Sequence, residues 1–206
     1  MVQPLNEKLK ESPSQTAGPY VHIGLVPNHL GNKGIYPEDL GKSPIQKGAK
    51  GDKITITGHV MDGAGMILRD ALLESWQADA KGFFNTPQER RGKPDPKVTG
   101  WCRFAADFDS GDWTLHTIKP GRVPAANGKL MAPHIALWIV ARGINIGLQT
   151  RIYFEDEKKA NAECPVLNRI EHKERVKTLM ARKTGPGTYR FDIKLQGDDE
   201  TVFFDL

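Results

Sequence analysis

The sequence predicts an all-β protein: an antiparallel β-sandwich with an extended N-terminal arm and one or two short peripheral helices. Three observations carry this. About eight short segments alternate β-branched or aromatic residues with polar ones, the period of a strand buried on one face. Gly, Asp, Asn or Pro separates most of them, as turns between strands require. Pro4, Pro13, Pro19, Pro27, Pro37 and Pro44 punctuate the first 53 residues, which suits an arm better than a regular element. We therefore expect an arm and loops over 1–53 and a sandwich domain over 54–206, a total of 206 residues that one hydrophobic core can serve.

In chain order, Tyr20 to Leu25 alternates apolar with small or polar residues and reads as a short docked strand. Lys53 to Val60 is the first strand of the domain, and Asp62-Gly63-Ala64-Gly65 supplies turn chemistry before Leu72 to Trp76, a hairpin or short β connection. Further strands are expected at Gly100–Phe104, Trp113–Thr117, Ile135–Ala141, Leu148–Phe154, Tyr189–Leu195 and Thr201–Phe204. Between the last groups, Ile170 to Arg182 spaces Ile170, Val176, Leu179 and Met180 as an amphipathic helix would, and Thr184-Gly185-Pro186-Gly187 should end it.

Composition excludes several function classes. At 38% hydrophobic and 26% charged residues the chain is that of an ordinary globular protein, and no apolar run reaches a membrane span. Met1 to Lys10 is polar, so a cytoplasmic protein is expected. The net charge of +4 is scattered rather than gathered into a stripe, which argues against nucleic acid. Cys102 and Cys164 form no CxxC pair and read as packing residues. The 6 histidines show none of the spacings that let one strand or helix grip a metal. GxSxG, GxGxxG and the P-loop pattern are absent, and Asp198-Asp199-Glu200 reads as an exposed turn.

A more specific signal lies in linked blocks. Thr57 to Gly63, Glu74 to Phe84, Thr117-Ile118-Lys119-Pro120-Gly121, Ala132-Pro133-His134-Ile135, Arg151-Ile152-Tyr153-Phe154 and Tyr189 to Ile193 occur in the order found in the intradiol ring-cleaving dioxygenases, which this chain resembles over nearly its whole length. The arm Ser12 to Leu25, the stretch Ala141 to Ile146 and the C-terminal Glu200 to Asp205 are similar to the alpha-type chain of the two-chain members. The resemblance implies an alpha/beta hetero-oligomer of several pairs, with Fe(III) held by the homologous beta chain through two tyrosines and two histidines. It implies cleavage of protocatechuate by O2 to 3-carboxy-cis,cis-muconate, in aromatic catabolism through the beta-ketoadipate pathway.

The resemblance also places four iron-ligand positions on this chain, at Phe84, Val123, His134 and Ala136. Fe(III) is a hard ion held by phenolate oxygen, so Phe84, Val123 and Ala136 offer it no donor, and an arginine expected three residues before His134 is Met131. No catalytic residue and no metal are therefore expected on this chain, with His134 a packing or a surface residue. Tyr20, Tyr36 and Tyr153 could replace the phenolates only if something brought them together. Thr16, Gly18 and Pro19 match residues that wall the substrate pocket at the alpha/beta interface, or else only set the path of the arm. Arg142 matches an arginine that either holds the substrate carboxylate or makes an interface ion pair. Fold alone does not fix function, and a non-enzymatic β-sandwich binding module is the alternative.

Overall fold

The computed structural model describes residues 15–205; Ser12 to Ser14 of the arm motif, with Pro4 and Pro13, lie outside them. The chain enters through one short helix, α1 (Pro19–Leu25), and a long loop segment before the first strand. Ten strands follow: β1 (Lys53–Gly58), β2 (Val60–Met61), β3 (Leu72–Trp76), β4 (Trp101–Ala105), β5 (Trp113–Ile118), β6 (His134–Val140), β7 (Leu148–Phe154), β8 (Met180–Gly185), β9 (Thr188–Arg190) and β10 (Ile193–Lys194). A second helix, α2 (Lys158–Glu163), and two 3-10 turns, Leu167–Arg169 and Lys173–Leu179, separate β7 from β8.

Eight strands form one sheet in the order β4-β3-β6-β7-β8-β9-β1-β5, and β2 pairs with β10 beside it. The sheet curls until its two edges meet: Phe104 of β4 packs on Trp113 of β5 with ring centroids 5.8 Å apart. This gives the all-β, sandwich-like fold expected. Alternation explains which face turns inward. Ile54 and Ile56 on β1, Leu115 on β5, and Ile135, Leu137 and Ile139 on β6 are all buried, with less buried residues between them. They meet Trp113, Phe154 and Tyr189 in one core.

Several local expectations change. The sheet is mixed rather than wholly antiparallel, because β1/β9, β7/β8 and β2/β10 run parallel. Tyr20–Leu25 is helical, not a strand: Pro19 at the first helical position presets φ, and His22 and Val26, four apart, are the buried pair. Lys53–Val60 does not form a hairpin with Leu72–Trp76; β1 lies between β9 and β5, and β3 between β4 and β6. The Asp62 turn instead closes on itself, with Asp62 Oδ1 accepting from the N–H groups of Ala64 and Met66 at 2.9 Å.

The helix expected over Ile170–Arg182 is a 3-10 turn that gives way to strand β8. Val176 and Leu179 are three apart, the repeat of a 3-10 helix, and pairing of Met180 and Ala181 with β7 takes over the rest. Thr184-Gly185-Pro186-Gly187 accordingly turns β8 into β9. Thr201–Phe204 is not a strand, though Phe204 donates its N–H to Gln149 O at 2.8 Å. Both cysteines are buried and unbonded to each other. No helix among the described residues is long and apolar enough to cross a membrane.

Candidate functional site

The register of β3, β6 and β7 builds one cavity. Trp76 stands opposite Ala136, and Ala136 opposite Arg151; two residues earlier, His134 stands opposite Tyr153. Residues two apart share a face, so these side chains line the face away from the core that takes Ile135 and Leu137. Two loops cover it and add Phe84 and Val123. The four positions Phe84, Val123, His134 and Ala136 thus converge on a single cavity of about 170 Å³, which Met131 and Arg151 also border.

The loops are held by a buried carboxylate and two glycines. Asp79 Oδ1 accepts from the N–H groups of Lys81 and Phe83, and Oδ2 from that of Asp95, all at 2.9 Å. Its carbonyl takes the Gly121 N–H at 2.8 Å, tying the two loops together. At Gly82, φ is +86° and a Cβ would lie 2.1 Å from the Arg122 carbonyl oxygen; at Gly121 it would lie 2.5 Å from Gly82 N. Only glycine permits this crossing. Phe84 then stacks on Trp76 with centroids 5.9 Å apart and planes 1° from parallel, while its N–H donates to Glu89 Oε2 at 3.0 Å. The Arg91 guanidinium holds the Glu89 carboxyl down at about 2.

His134 lines the cavity and makes its contacts within the chain. Its Nδ1 lies 2.8 Å from the Ala132 carbonyl, which can only accept, so Nδ1 carries the hydrogen. Its ring stacks on Tyr153 at 5.4 Å. Burial pushes its pKa down to about 4; the Ala132 bond opposes this and the Arg151 charge adds to it, so the imidazole is neutral near pH 7. This donor set does not fit ferric ion: three of the four positions present only carbon, and one imidazole cannot replace two phenolates. Among the described residues no group of three or more His, Cys, Asp or Glu stands where it could grip a metal. Tyr20 is 84% exposed on α1, Tyr36 lies in the loop segment before β1 and Tyr153 is buried on β7, and none of the three lines the cavity.

Thr16, Gly18, Pro19 and Arg142 lie at the other end of the same strands. β6 spans 7 residues, which puts its ends roughly 20 Å apart. Just beyond its far end Thr16 Oγ1 donates to Ala141 O at 3.3 Å and accepts the Gly143 N–H at 2.9 Å, fastening the arm. Gly18 caps α1 with φ −113°, and a Cβ there would meet nothing within 4 Å. Arg142, its side chain 79% exposed, pairs with Asp70 at 2.5 Å over an open cleft of about 810 Å³. Sequence reasoning named Arg142 but missed Asp70, and it missed Asp79 and Arg151. The Asp79-x-x-Gly82 spacing is a turn signal that could have found the second; nothing in the sequence marks the other two as neighbours of the site.

The dioxygenase family model matches residues 32–197. The protocatechuate 3,4-dioxygenase alpha chain of Pseudomonas putida is 48% identical over 203 residues, which covers 97% of this chain and 98% of that one. The protocatechuate 3,4-dioxygenase beta chain of Burkholderia cepacia is 30% identical over 179 residues, 82% of this chain and 75% of that one. An intradiol ring-cleavage dioxygenase of Tetranychus urticae has the same fold, with a TM-score of 0.54 at 19% identity, covering 90% of this chain and 94% of that one. Matches of this length and identity leave no ambiguity: the chain belongs to the intradiol dioxygenase family, among the relatives of the protocatechuate 3,4-dioxygenase chains.

Proposed function

We propose that this chain is the alpha subunit, without iron of its own, of a cytoplasmic alpha/beta protocatechuate 3,4-dioxygenase. The partner beta chain holds Fe(III), and the assembly uses O2 to open protocatechuate to 3-carboxy-cis,cis-muconate. The observation that carries this reading is the convergence of Phe84, Val123, His134 and Ala136 on one cavity that offers a ferric ion no oxygen donor at these positions. A chain of this family so built needs a partner that supplies the metal.

Its own contribution then comes from the other end of the sheet. Thr16 fixes the arm, and Gly18 and Pro19 present a low, carbon-lined edge against which a flat ring can lie. Gly18 supports this role because nothing among the described residues requires a glycine there. Arg142 supplies the positive charge that attracts the substrate carboxylate.

Coexpression with a beta-type chain, followed by iron analysis and ring-cleavage assays, tests the proposal. We expect a hetero-oligomer that carries iron and cleaves protocatechuate, while this chain purified alone is colourless and inactive. A chain that stays monomeric beside the beta chain, or that binds iron by itself, would overturn it.

A further inference from the structure

The cavity that offers iron no home is not without chemistry. Arg151 enters it from β7, beside the buried Tyr153 hydroxyl, and Gln77 lines the same cavity. The Arg151 Nε is buried and has no hydrogen-bond partner. One Nη lies 3.4 Å from Met131 Sδ, and the guanidinium sits 5.4 Å over the Phe204 ring, but no carboxylate among the described residues comes within ion-pair reach. The residue as a whole is half-buried, but a buried N–H left without an acceptor is costly unless an anion completes it.

Three further features define that anion. Ala136 stands between Trp76 and Arg151 in the cross-strand register, and its methyl leaves open the space that a larger residue would fill. Trp76 and Phe84, stacked in parallel, and Val123 wall this space with carbon. His134 is neutral with its Nδ1 hydrogen already spent on Ala132, so the imidazole adds no competing charge. An inorganic anion would answer Arg151 but leave the carbon walls in contact with water. A volume of about 170 Å³ suits a single ring rather than a fused system.

We propose that this cavity is a binding site for a one-ring aromatic monocarboxylate, with the carboxylate on Arg151 and the ring against Trp76 and Phe84. Guanidinium and carboxylate meet as two parallel N–H···O bonds, and Nε supplies one of them. The site belongs to this chain alone and does not depend on whether its partner holds iron.

Titration of the full chain with benzoate, followed through the fluorescence of Trp76, tests this, together with 4-bromobenzoate soaked into crystals. We expect saturable binding and a bromine anomalous peak beside Trp76. Arg151→Gln should weaken binding about ten-fold or more, and benzamide should bind the unaltered chain correspondingly less well than benzoate, as loss of a charge-assisted contact requires. Ala136→Leu should abolish binding by filling the space. Absence of saturation, a bromine peak only elsewhere, or equal affinity for benzoate and benzamide would each overturn the proposal. The benzamide comparison decides the matter even where Arg151→Gln does not fold.

Discussion

Arg142 and Asp70 form an ion pair whose energetic weight, on the proposed function, falls on ligand rather than on folding. The Arg142 side chain is 79% exposed and that of Asp70 21%, so solvent screens the pair and it stabilises the fold by about 0–1 kcal/mol. A hydrogen bond from the guanidinium to a substrate carboxylate is worth roughly 1.5–3 kcal/mol, but here Asp70 already holds part of the donor capacity, which places the net contribution at about 1–2 kcal/mol. Arg142→Ala in the complete assembly should therefore raise KM for protocatechuate roughly 5–30-fold and leave kcat within about two-fold. Asp70→Asn should lower KM by freeing the guanidinium. The double variant should match Arg142→Ala, because Asp70 acts only through Arg142. Oxygen-uptake kinetics with protocatechuate and with catechol, which has no carboxylate, separate the two effects. A fall in kcat at constant KM, or an equal rise in KM for catechol, would refute this reasoning.

Four other outcomes are expected. Gly82→Ala should destabilise the chain by about 2–4 kcal/mol in urea unfolding, from a left-handed backbone and a clash with the Arg122 carbonyl. Gly18→Ala should leave stability within about 0.5 kcal/mol, since its φ suits any residue and the space is open, yet reduce ring cleavage in the assembly. The Glu89 carboxyl sits at about 2 against an ordinary 4.5, so its stabilising contribution is complete above about 4.5 and is lost as pH falls toward 2. Urea midpoints measured across that window should fall less steeply in Glu89→Gln than in the unaltered chain. Burial lifts the Cys102 thiol to about 12, and Cys164 is also buried, so a thiol reagent should titrate neither in the folded chain and both after denaturation.

Strands with period-two burial were the legible part of the fold. In β6 the buried Ile135, Leu137 and Ile139 alternate with partly exposed neighbours, and any one-residue slip would turn the whole set to the wrong face. Partners were less legible than faces. Lys53–Gly58 announces a strand, but its parallel partner Thr188–Arg190 is more than a hundred residues away, and local pattern carries no such information. Short elements failed where two periods coincide: Tyr20 to Leu25 satisfies alternation and a helical turn equally, and Pro19 decided it. The four degenerate positions were readable only through family resemblance, because residues without donors carry no chemical signal of their own. Asp79 leaves a local trace in its turn spacing to Gly82, whereas Arg151 acts through contacts across strands and could be found only in three dimensions.

The separation of the two ends of β6 is what the proposed function requires of a chain that lacks iron of its own yet contributes to the reaction. Side chains at His134 and Ala136 touch a cavity, and Arg142 a cleft, at opposite ends of a strand roughly 20 Å long, with the packed core of Ile135, Leu137 and Ile139 behind it. Sites so far apart with no shared partner change almost independently in energy. Replacing metal donors by Phe84, Val123 and Ala136 at one end therefore need not disturb Thr16, Asp70 and Arg142 at the other. The same distance forbids Arg142 from serving a ligand in this chain's own cavity. On the proposed function, the reaction that Arg142 assists takes place on a second polypeptide brought against the cleft.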